Sequence, residues 1–183
     1  KHVSFPEISE DTKKRTILIN GVSKTYSMTG WRIGYAAGDS HVISAMNNLS
    51  GQSTSNPTSI SQKAAIEAFS GNQKKVTEML KEFEIRKDFI SSFLNEIEGI
   101  KCFVPQGAFY VFPDISYYFG KRYKGKEISN SIDLTDFLLE EAKVAVVPGI
   151  EFGSDNHIRI SYATSIEDIK KGVKRIKESL KNL

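Results

Sequence analysis

The chain has 183 residues, enough for one compact domain and a smaller second one but too few for a large multidomain enzyme. Hydrophobic residues make up 39% of it and charged residues 26%, which excludes disordered, collagen-like and disulfide-scaffold classes. The formal net charge is only +3, and the basic residues are not gathered in one block. Phosphate backbones require a concentrated basic face, so nucleic acid is not the indicated partner.

Cysteine usage and hydropathy bear on the cellular compartment. Cys102 is the only cysteine and cannot form an internal disulfide, and its alternating apolar surroundings predict that it is buried. No apolar run approaches the roughly 20 residues of a membrane helix, and the first residues are polar rather than typical of a signal peptide. We therefore expect a soluble, cytoplasmic protein without a membrane partner.

The first seventy residues combine two strand signals with two helix signals. The apolar runs 16–19 and 32–37 predict buried strands joined by a polar loop. Asp39 or Ser40 can cap a helix that continues to about residue 49. A second helix is predicted over residues 59–69.

A long amphipathic helix is predicted over residues 72–98, with Gly99 as its stop. Its apolar residues recur at spacings of three and four, which defines one stripe: Val76, Met79, Leu80, Phe83, Ile90, Phe93, Leu94 and Ile97. Helices of this length commonly connect two lobes. We accordingly predict three parts, residues 1–70, 71–98 and 99–183.

The remaining sequence alternates strand and helix signals. Strands are predicted at residues 100–104, 108–112, 144–147 and 158–163, and helices at 131–143 and after Ser165, whose spacing to Asp168 is typical of a capping box. This pattern predicts an α+β lobe with helices packed on a small sheet. Residues 117–125 are expected to form an exposed connection, and His157 an exposed histidine.

Lys24 lies in the polar loop between the first two predicted strands, close to the end of a sheet. A lysine held there can act as an amine nucleophile, although a solvated charge is the more common role of a loop lysine. Arg32 begins the next strand, so the chain reversal brings it back toward Lys24. Arg32, Ser23 and the turn amides can then bind one phosphate group, because a guanidinium matches phosphate oxygens.

The segment SKTYSMTGWRIGY, which starts at Ser23, resembles the cofactor-lysine signature of the class I aminotransferases, the aspartate aminotransferase group in particular. The resemblance continues in family order through QSTSNPTSISQ, PQGAFYVFPD, VAVVPGIEFG and HIRISYATS. It implies an α/β fold, part of a fold-type I pyridoxal-phosphate enzyme. Residues 1–70 would belong to its three-layer α/β/α large domain and residues 99–183 to its small α+β domain.

The resemblance also implies roles for three residues of the first loop. Lys24 would attach covalently to pyridoxal 5'-phosphate and then move a proton at the substrate Cα. Arg32 would bind the cofactor phosphate. Ser23 would assist it, although many relatives carry the phosphate-binding serine three residues before the lysine, where this chain has Gly21.

Two further residues receive substrate roles from the resemblance. Arg159 matches the arginine that binds the substrate α-carboxylate through two hydrogen bonds, and Phe109 resembles the aromatic residue that lines the substrate side of the pocket. The alternation of residues 158–162 places Arg159 and Ser161 on one strand face, opposite Ile158 and Ile160. Considered without the family, Arg159 would be a surface charge and Phe109 a core residue. No cluster has the spacing of a metal site.

The family motifs for the pyridine-nitrogen partner and the ring-stacking residue find no match in the 23 residues before Lys24. The chain therefore resembles the C-terminal portion of an aminotransferase and is expected to be inactive alone. Its full-length parent would transfer an amino group between aspartate, or a similar amino acid, and a 2-oxo acid, as a homodimer. The alternatives are a pyridoxal-phosphate lyase or synthase of the same fold and a noncatalytic assembly domain.

Overall fold

The computed structural model describes residues 2–183, which form two compact units divided between Thr77 and Glu78. In the first unit, helix α1 (Glu10–Lys14) leads into strands β1 (Leu18–Gly21) and β2 (Gly34–Ala37). Helices α2 (Ser40–Ser53) and α3 (Ser59–Ser70) follow. Asp39 caps α2 by accepting hydrogen bonds from the amides of His41 and Val42, as the sequence predicts for one of its two candidate caps.

Strands β1 and β2 pair antiparallel, from Leu18 opposite Ala37 to Gly21 opposite Gly34. The two predicted strands are confirmed, but their predicted burial is wrong, because Ile19 is 76% exposed. A two-stranded ribbon cannot cover both of its own faces. Other large apolar side chains of this unit are exposed as well: Val3, Phe5, Ile8, Ile17, Trp31, Tyr35, Val42, Met46, Leu49, Ile60, Ile66 and Phe69.

The predicted long helix is confirmed as α4 (Lys74–Asn95), which ends three residues before its predicted limit. Asn95 explains the earlier end, because its side chain both accepts from the Cys102 amide and donates to the Cys102 carbonyl, each over 2.8 Å. Gly99 follows in the left-handed conformation at φ 80°. A Cβ there would lie 2.0 Å from the Tyr117 ring, so only glycine fits.

The second unit contains a three-stranded antiparallel sheet in the order β3 (Tyr110–Val111), β7 (Ile158–Ser161), β6 (Val147–Pro148). A separate hairpin pairs β4 (Arg122–Tyr123) with β5 (Lys126–Glu127). Helix α5 (Ser131–Phe137) continues as a π-helical turn over Leu138–Ala142, and helix α6 (Ile166–Leu180) follows β7. The expected small sheet with helices is thus present.

Three predicted strands are much shorter in the structure, and of residues 108–112 only Tyr110 and Val111 form one. Residues 100–104 make a single bridge, Lys101 to Asp114, and Phe103 is 92% exposed. Of residues 144–147 only Val147 belongs to a strand. Apolar runs this short do not distinguish a strand from an extended connection, and here few backbone groups find a ladder partner.

The core of the second unit is formed by α4, α5, α6 and the sheet. Ser165 caps α6 as predicted, and the apolar face of that helix is buried at Ile169, Val173, Ile176 and Leu180. Cys102 is buried as predicted. The expectation of an exposed connection over residues 117–125 is wrong at Tyr118, which is 2% exposed and donates a hydrogen bond to the Glu98 carbonyl.

No helix in residues 2–183 combines the length and the apolar character that crossing a membrane would require.

Candidate functional site

Ser23, Lys24 and Arg32 lie in the loop of residues 22–33, which joins β1 to β2. The pair Gly21 and Gly34 closes the base of this loop. Inside it, the Met28 amide donates to the Ser23 carbonyl over 3.1 Å and the Ser27 amide to the Lys24 carbonyl over 3.2 Å. The chain therefore turns directly at Ser23 and Lys24, and the Lys24 residue is exposed.

Arg32 has a left-handed backbone, with φ 49° and ψ 51°. This conformation costs a residue with a Cβ about 1 kcal/mol or more, so neighbouring contacts must maintain it. Its Nη1 donates to the Thr29 carbonyl over 2.9 Å. The buried Ser61 hydroxyl of α3 donates to the carbonyl of Trp31, the preceding residue, over 2.8 Å. Helix α3 thus fixes the turn at which Arg32 leaves the loop.

Gly21 occupies the position for which the resemblance implies a phosphate-binding serine in many relatives. A Cβ at Gly21 would lie 3.3 Å from the Ile33 carbonyl oxygen, a tight contact with the backbone of the paired strand. Glycine therefore suits the narrow base of this loop.

The loop combines a primary amine, a hydroxyl and a guanidinium within ten residues. An amine condenses with an aldehyde, and a guanidinium with a hydroxyl provides hydrogen-bond donors for phosphate oxygens. This donor set fits a compound that carries both an aldehyde and a phosphate, such as pyridoxal phosphate. All three groups belong to the first unit.

Arg159 lies in β7 of the second unit. The burial of β7 alternates as predicted: Ile158 and Ile160 are buried, whereas Arg159 is half-buried and Ser161 exposed on the opposite face. Within residues 2–183 no aspartate or glutamate forms an ion pair with Arg159. Its positive charge is consequently not neutralised by a carboxylate of the described chain.

Two aromatic rings hold the Arg159 guanidinium. Its Cζ lies 4.6 Å from the centroid of the Phe152 ring and 5.3 Å from that of Tyr110. Contacts of a cation with aromatic faces contribute about 0.5–1 kcal/mol at exposed sites and restrict the guanidinium without occupying its fork of N–H donors. We call Arg159, Phe152 and Tyr110 the arginine clamp.

Phe109 is half-buried beside the clamp. Its ring meets Tyr110 edge to face at 5.6 Å between centroids, and its carbonyl accepts from the Tyr162 amide over 2.9 Å. The preceding Ala108 has φ 67°, and its carbonyl accepts from the Tyr162 hydroxyl. Phe109 also packs against the hydrophobic core, so its substrate role stays a prediction.

Sequence reasoning missed the aromatic contacts of this sheet face. His157 is half-buried rather than exposed: its ring stacks on Phe112 at 4.8 Å, and its Nδ1 forms a 2.8 Å hydrogen bond with the Ser154 hydroxyl. Phe112 in turn meets Phe152 edge to face at 6.0 Å. The alternation of aromatic residues along 110–112 is the available signal, but the strand register that aligns them with β7 is not visible in the sequence.

No group of three metal-ligating side chains occurs in the part of the chain that the structure describes.

Comparison with known proteins identifies the family. The sequence model of the family described as "Aminotransferase class I and II" matches residues 3–176. The chain belongs to the class I and II aminotransferases. The resemblance carried by the lysine-loop and strand motifs is thereby confirmed, and the family is dependent on pyridoxal phosphate.

Individual relatives of this aminotransferase chain are about half identical to it. A Rickettsia typhi protein named "Probable aspartate/prephenate aminotransferase" is 48% identical over 100% of this chain and 46% of its own length. The "Aspartate aminotransferase" of Bacillus subtilis is 48% identical over 97% of this chain and 44% of its own length. The crystal structure of the Rhizobium meliloti aspartate aminotransferase superimposes with a TM-score of 0.94 at 44% identity, covering 100% of this chain and 46% of that one. The chain therefore spans slightly less than half the length of these relatives.

Proposed function

We propose that this chain carries the cofactor lysine and the substrate-carboxylate arginine of an aspartate aminotransferase-like enzyme. The enzyme would transfer the amino group of aspartate, or of a similar amino acid, to a 2-oxo acid. The observation that carries the proposal is the loop 22–33 between the paired strands β1 and β2, which contains an amine, a hydroxyl and a guanidinium within ten residues. Family membership supports pyridoxal phosphate as the group that these three side chains would bind.

In this proposal each residue of the loop has one task. The Lys24 Nζ would hold pyridoxal phosphate through the aldehyde group of the cofactor, and it would act as the base that moves a proton between the substrate Cα and the cofactor carbon C4′. Arg32 binds the phosphate through its guanidinium, and the Ser23 hydroxyl donates to a phosphate oxygen. Bound pyridoxal phosphate supplies the ring that stabilises negative charge at Cα.

In the second unit, Arg159 would bind the substrate α-carboxylate through two parallel N–H donors. The absence of an ion pair among the described residues and the aromatic support of the guanidinium favour this role. Phe109, beside Tyr110, would line the substrate side of the pocket.

The proposal extends to the whole enzyme of which this chain would be the C-terminal portion. The order of the family motifs supports that placement, as well as the division into a large-domain part at 1–70, a connecting helix at 71–98 and a small domain at 99–183. We expect a cytoplasmic homodimer that accepts aspartate. The name of the Rickettsia typhi relative suggests that prephenate is a substrate as well. The 183-residue chain alone is expected to show little or no transamination.

The experiment is a half-reaction of the full-length protein with aspartate, followed by absorbance of the cofactor. The Lys24→Ala variant should still bind cofactor noncovalently but lose conversion by a factor of about 10² or more. The Lys13→Ala variant, which removes an exposed lysine of α1, is the matched control and should retain full conversion. Unchanged conversion in Lys24→Ala would refute the assignment, and turnover of an amino acid without formation of the aminated cofactor would favour the lyase or synthase alternative.

A further inference from the structure

The turn that carries Phe152 is folded tightly on itself. It begins at Gly149, whose amide donates to the His157 carbonyl over 2.8 Å and whose carbonyl accepts from the Ser154 amide over 3.1 Å. A Cβ at Gly149 would lie 2.2 Å from each of the carbonyl oxygens of Ser154 and His157. We call residues 149–155 the clamp turn, since it delivers Phe152 to the arginine clamp.

A pair of hydrogen-bonding side chains ties both ends of the clamp turn to helix α5. The hydroxyl of Ser131, which is completely buried, donates to Asp155 Oδ1 over 2.7 Å, and the Ser131 amide donates to the same oxygen over 3.0 Å. The Ser131 hydroxyl also accepts from the Ile150 amide over 3.3 Å. One buried hydroxyl thus connects the first residues of the turn to its last residue.

Capping of α5 accounts for only part of this pair. Asp155 accepts from the amide of Ser131, the first residue of the helix, and Asn130 accepts from the Asp133 amide over 2.9 Å. The two bonds of the Ser131 hydroxyl serve no backbone group of the helix. A buried serine that accepts and donates toward one turn instead fixes where that turn lies. The Phe152 ring lies on the exposed side of the turn, and its centroid is 4.6 Å from the guanidinium carbon of Arg159.

We propose that Ser131 and Asp155 are positioning residues for Arg159. They hold the clamp turn against α5, so that Phe152 keeps the guanidinium in one orientation before a carboxylate arrives. Preorganisation of this kind lowers the ordering cost of binding. The positioning is a property of the second unit by itself, and only the statement that the bound group is a substrate carboxylate rests on the proposed function.

The first measurement is the chemical shift of the Arg159 Nε–Hε group by NMR in the 183-residue chain, assigned with the Arg159→Lys variant. The Phe152 ring should shift this proton upfield, and Phe152→Leu should abolish that shift. Asp155→Ala and Ser131→Ala should lose most of it, whereas Asp155→Asn, which keeps an acceptor oxygen, should retain it in large part. Asn130→Ala removes the helix cap but not the positioning pair, and should leave the shift unchanged.

The second measurement is titration of the same signal with succinate as a carboxylate probe. Asp155→Ala should weaken succinate binding about threefold or more relative to the unmodified chain and to Asn130→Ala. An Arg159 shift that is unaltered in folded Asp155→Ala overturns the positioning proposal, and so does an equal loss in Asn130→Ala. If the shift changes as expected but Arg159 does not respond to succinate at all, the positioning holds and the carboxylate role in the proposed function fails. Asp155 is partly exposed, so Asp155→Ala keeps the test decisive if Ser131→Ala does not fold.

Discussion

The guanidinium carbon of Arg159 lies 4.6 Å from the centroid of the Phe152 ring, and no carboxylate of residues 2–183 forms an ion pair with it. A cation held by an aromatic face rather than by an acid keeps its hydrogen-bond donors for an external partner. The relationship connects the clamp turn to the strand that carries the arginine, and it gives the proposed carboxylate site a physical basis within one unit.

The first prediction concerns the geometry of the Arg159 donors. Arg159→Lys keeps the charge but loses the planar fork, so KM for aspartate in the full-length protein should rise about tenfold or more. Steady-state kinetics at several aspartate concentrations give the value. Arg175→Lys, an exposed change on α6, is the matched control and should leave KM unaltered. Equal KM values in the two variants would contradict the carboxylate role of Arg159.

The second prediction concerns the Ser61 hydroxyl, which holds the turn before Arg32. Ser61→Ala should destabilise the chain by about 0.5–1.5 kcal/mol, because the Trp31 carbonyl loses its buried donor. It should also weaken binding of pyridoxal phosphate if Arg32 binds the phosphate. Urea unfolding and cofactor titration provide the two values. Ser59→Ala, at the exposed first residue of α3, should change neither of them.

The third prediction compares two adjacent tyrosines that both contact Glu98. Tyr118 is buried and donates to the Glu98 carbonyl, whereas Tyr117 is exposed and donates to a Glu98 side-chain oxygen over 3.0 Å. Tyr118→Phe should therefore lower the free energy of unfolding by about 1 kcal/mol, and Tyr117→Phe should leave it nearly unchanged. Equal losses in urea unfolding would show that burial does not separate the two bonds.

The fourth prediction concerns the pH dependence contributed by Cys102. Burial raises the pKa of its thiol to about 11 from 9.0. A group whose pKa is higher in the folded state stabilises that state fully below the pKa of the unfolded chain, and this contribution is lost as pH rises from about 9 toward 11. The difference between the free energies of unfolding of the unmodified chain and of Cys102→Ala should therefore shrink or change sign as the pH rises through this interval. A difference that stays constant with pH would contradict the shift.

The same burial makes Cys102 a poor nucleophile in the native chain. A thiol-specific reagent at pH 8 should react with it slowly before unfolding and rapidly in denaturant. Fast reaction of the native chain would show that the Cys102 side chain reaches solvent.

The sequence is most informative where apolar residues recur at helical spacing over several turns. The stripes of α4 and α6 extend over several turns, so the 3.6-residue spacing distinguishes them from any strand. The lysine loop and its two flanking strands were also predictable, since they are local in the chain. Short apolar runs gave weaker information, and residues 100–104 form one bridge instead of a strand.

Contacts that depend on register and burial could not be predicted. Alternation predicts the strand face of Arg159 correctly, but its neighbours Tyr110 and Phe152 come from a paired strand and from a turn whose alignment the sequence does not specify. The buried Ser131 and the partly exposed Asp155 are separated by 24 residues, and an isolated serine and aspartate carry no spacing signal. Polar neighbours in the sequence predict an exposed connection at Tyr118, although its side chain is buried.

The most direct test of the central claim is to mix the purified 183-residue chain with pyridoxal phosphate, reduce with borohydride and map the labelled peptides by mass spectrometry. Reduction fixes the cofactor to the amine that holds it, so even weak binding leaves a permanent record. The label should be concentrated on Lys24, reduced in Arg32→Ala and unaffected in Lys13→Ala. Labelling spread evenly over exposed lysines, with Lys24 not favoured, would contradict the assignment of Lys24 as the cofactor lysine.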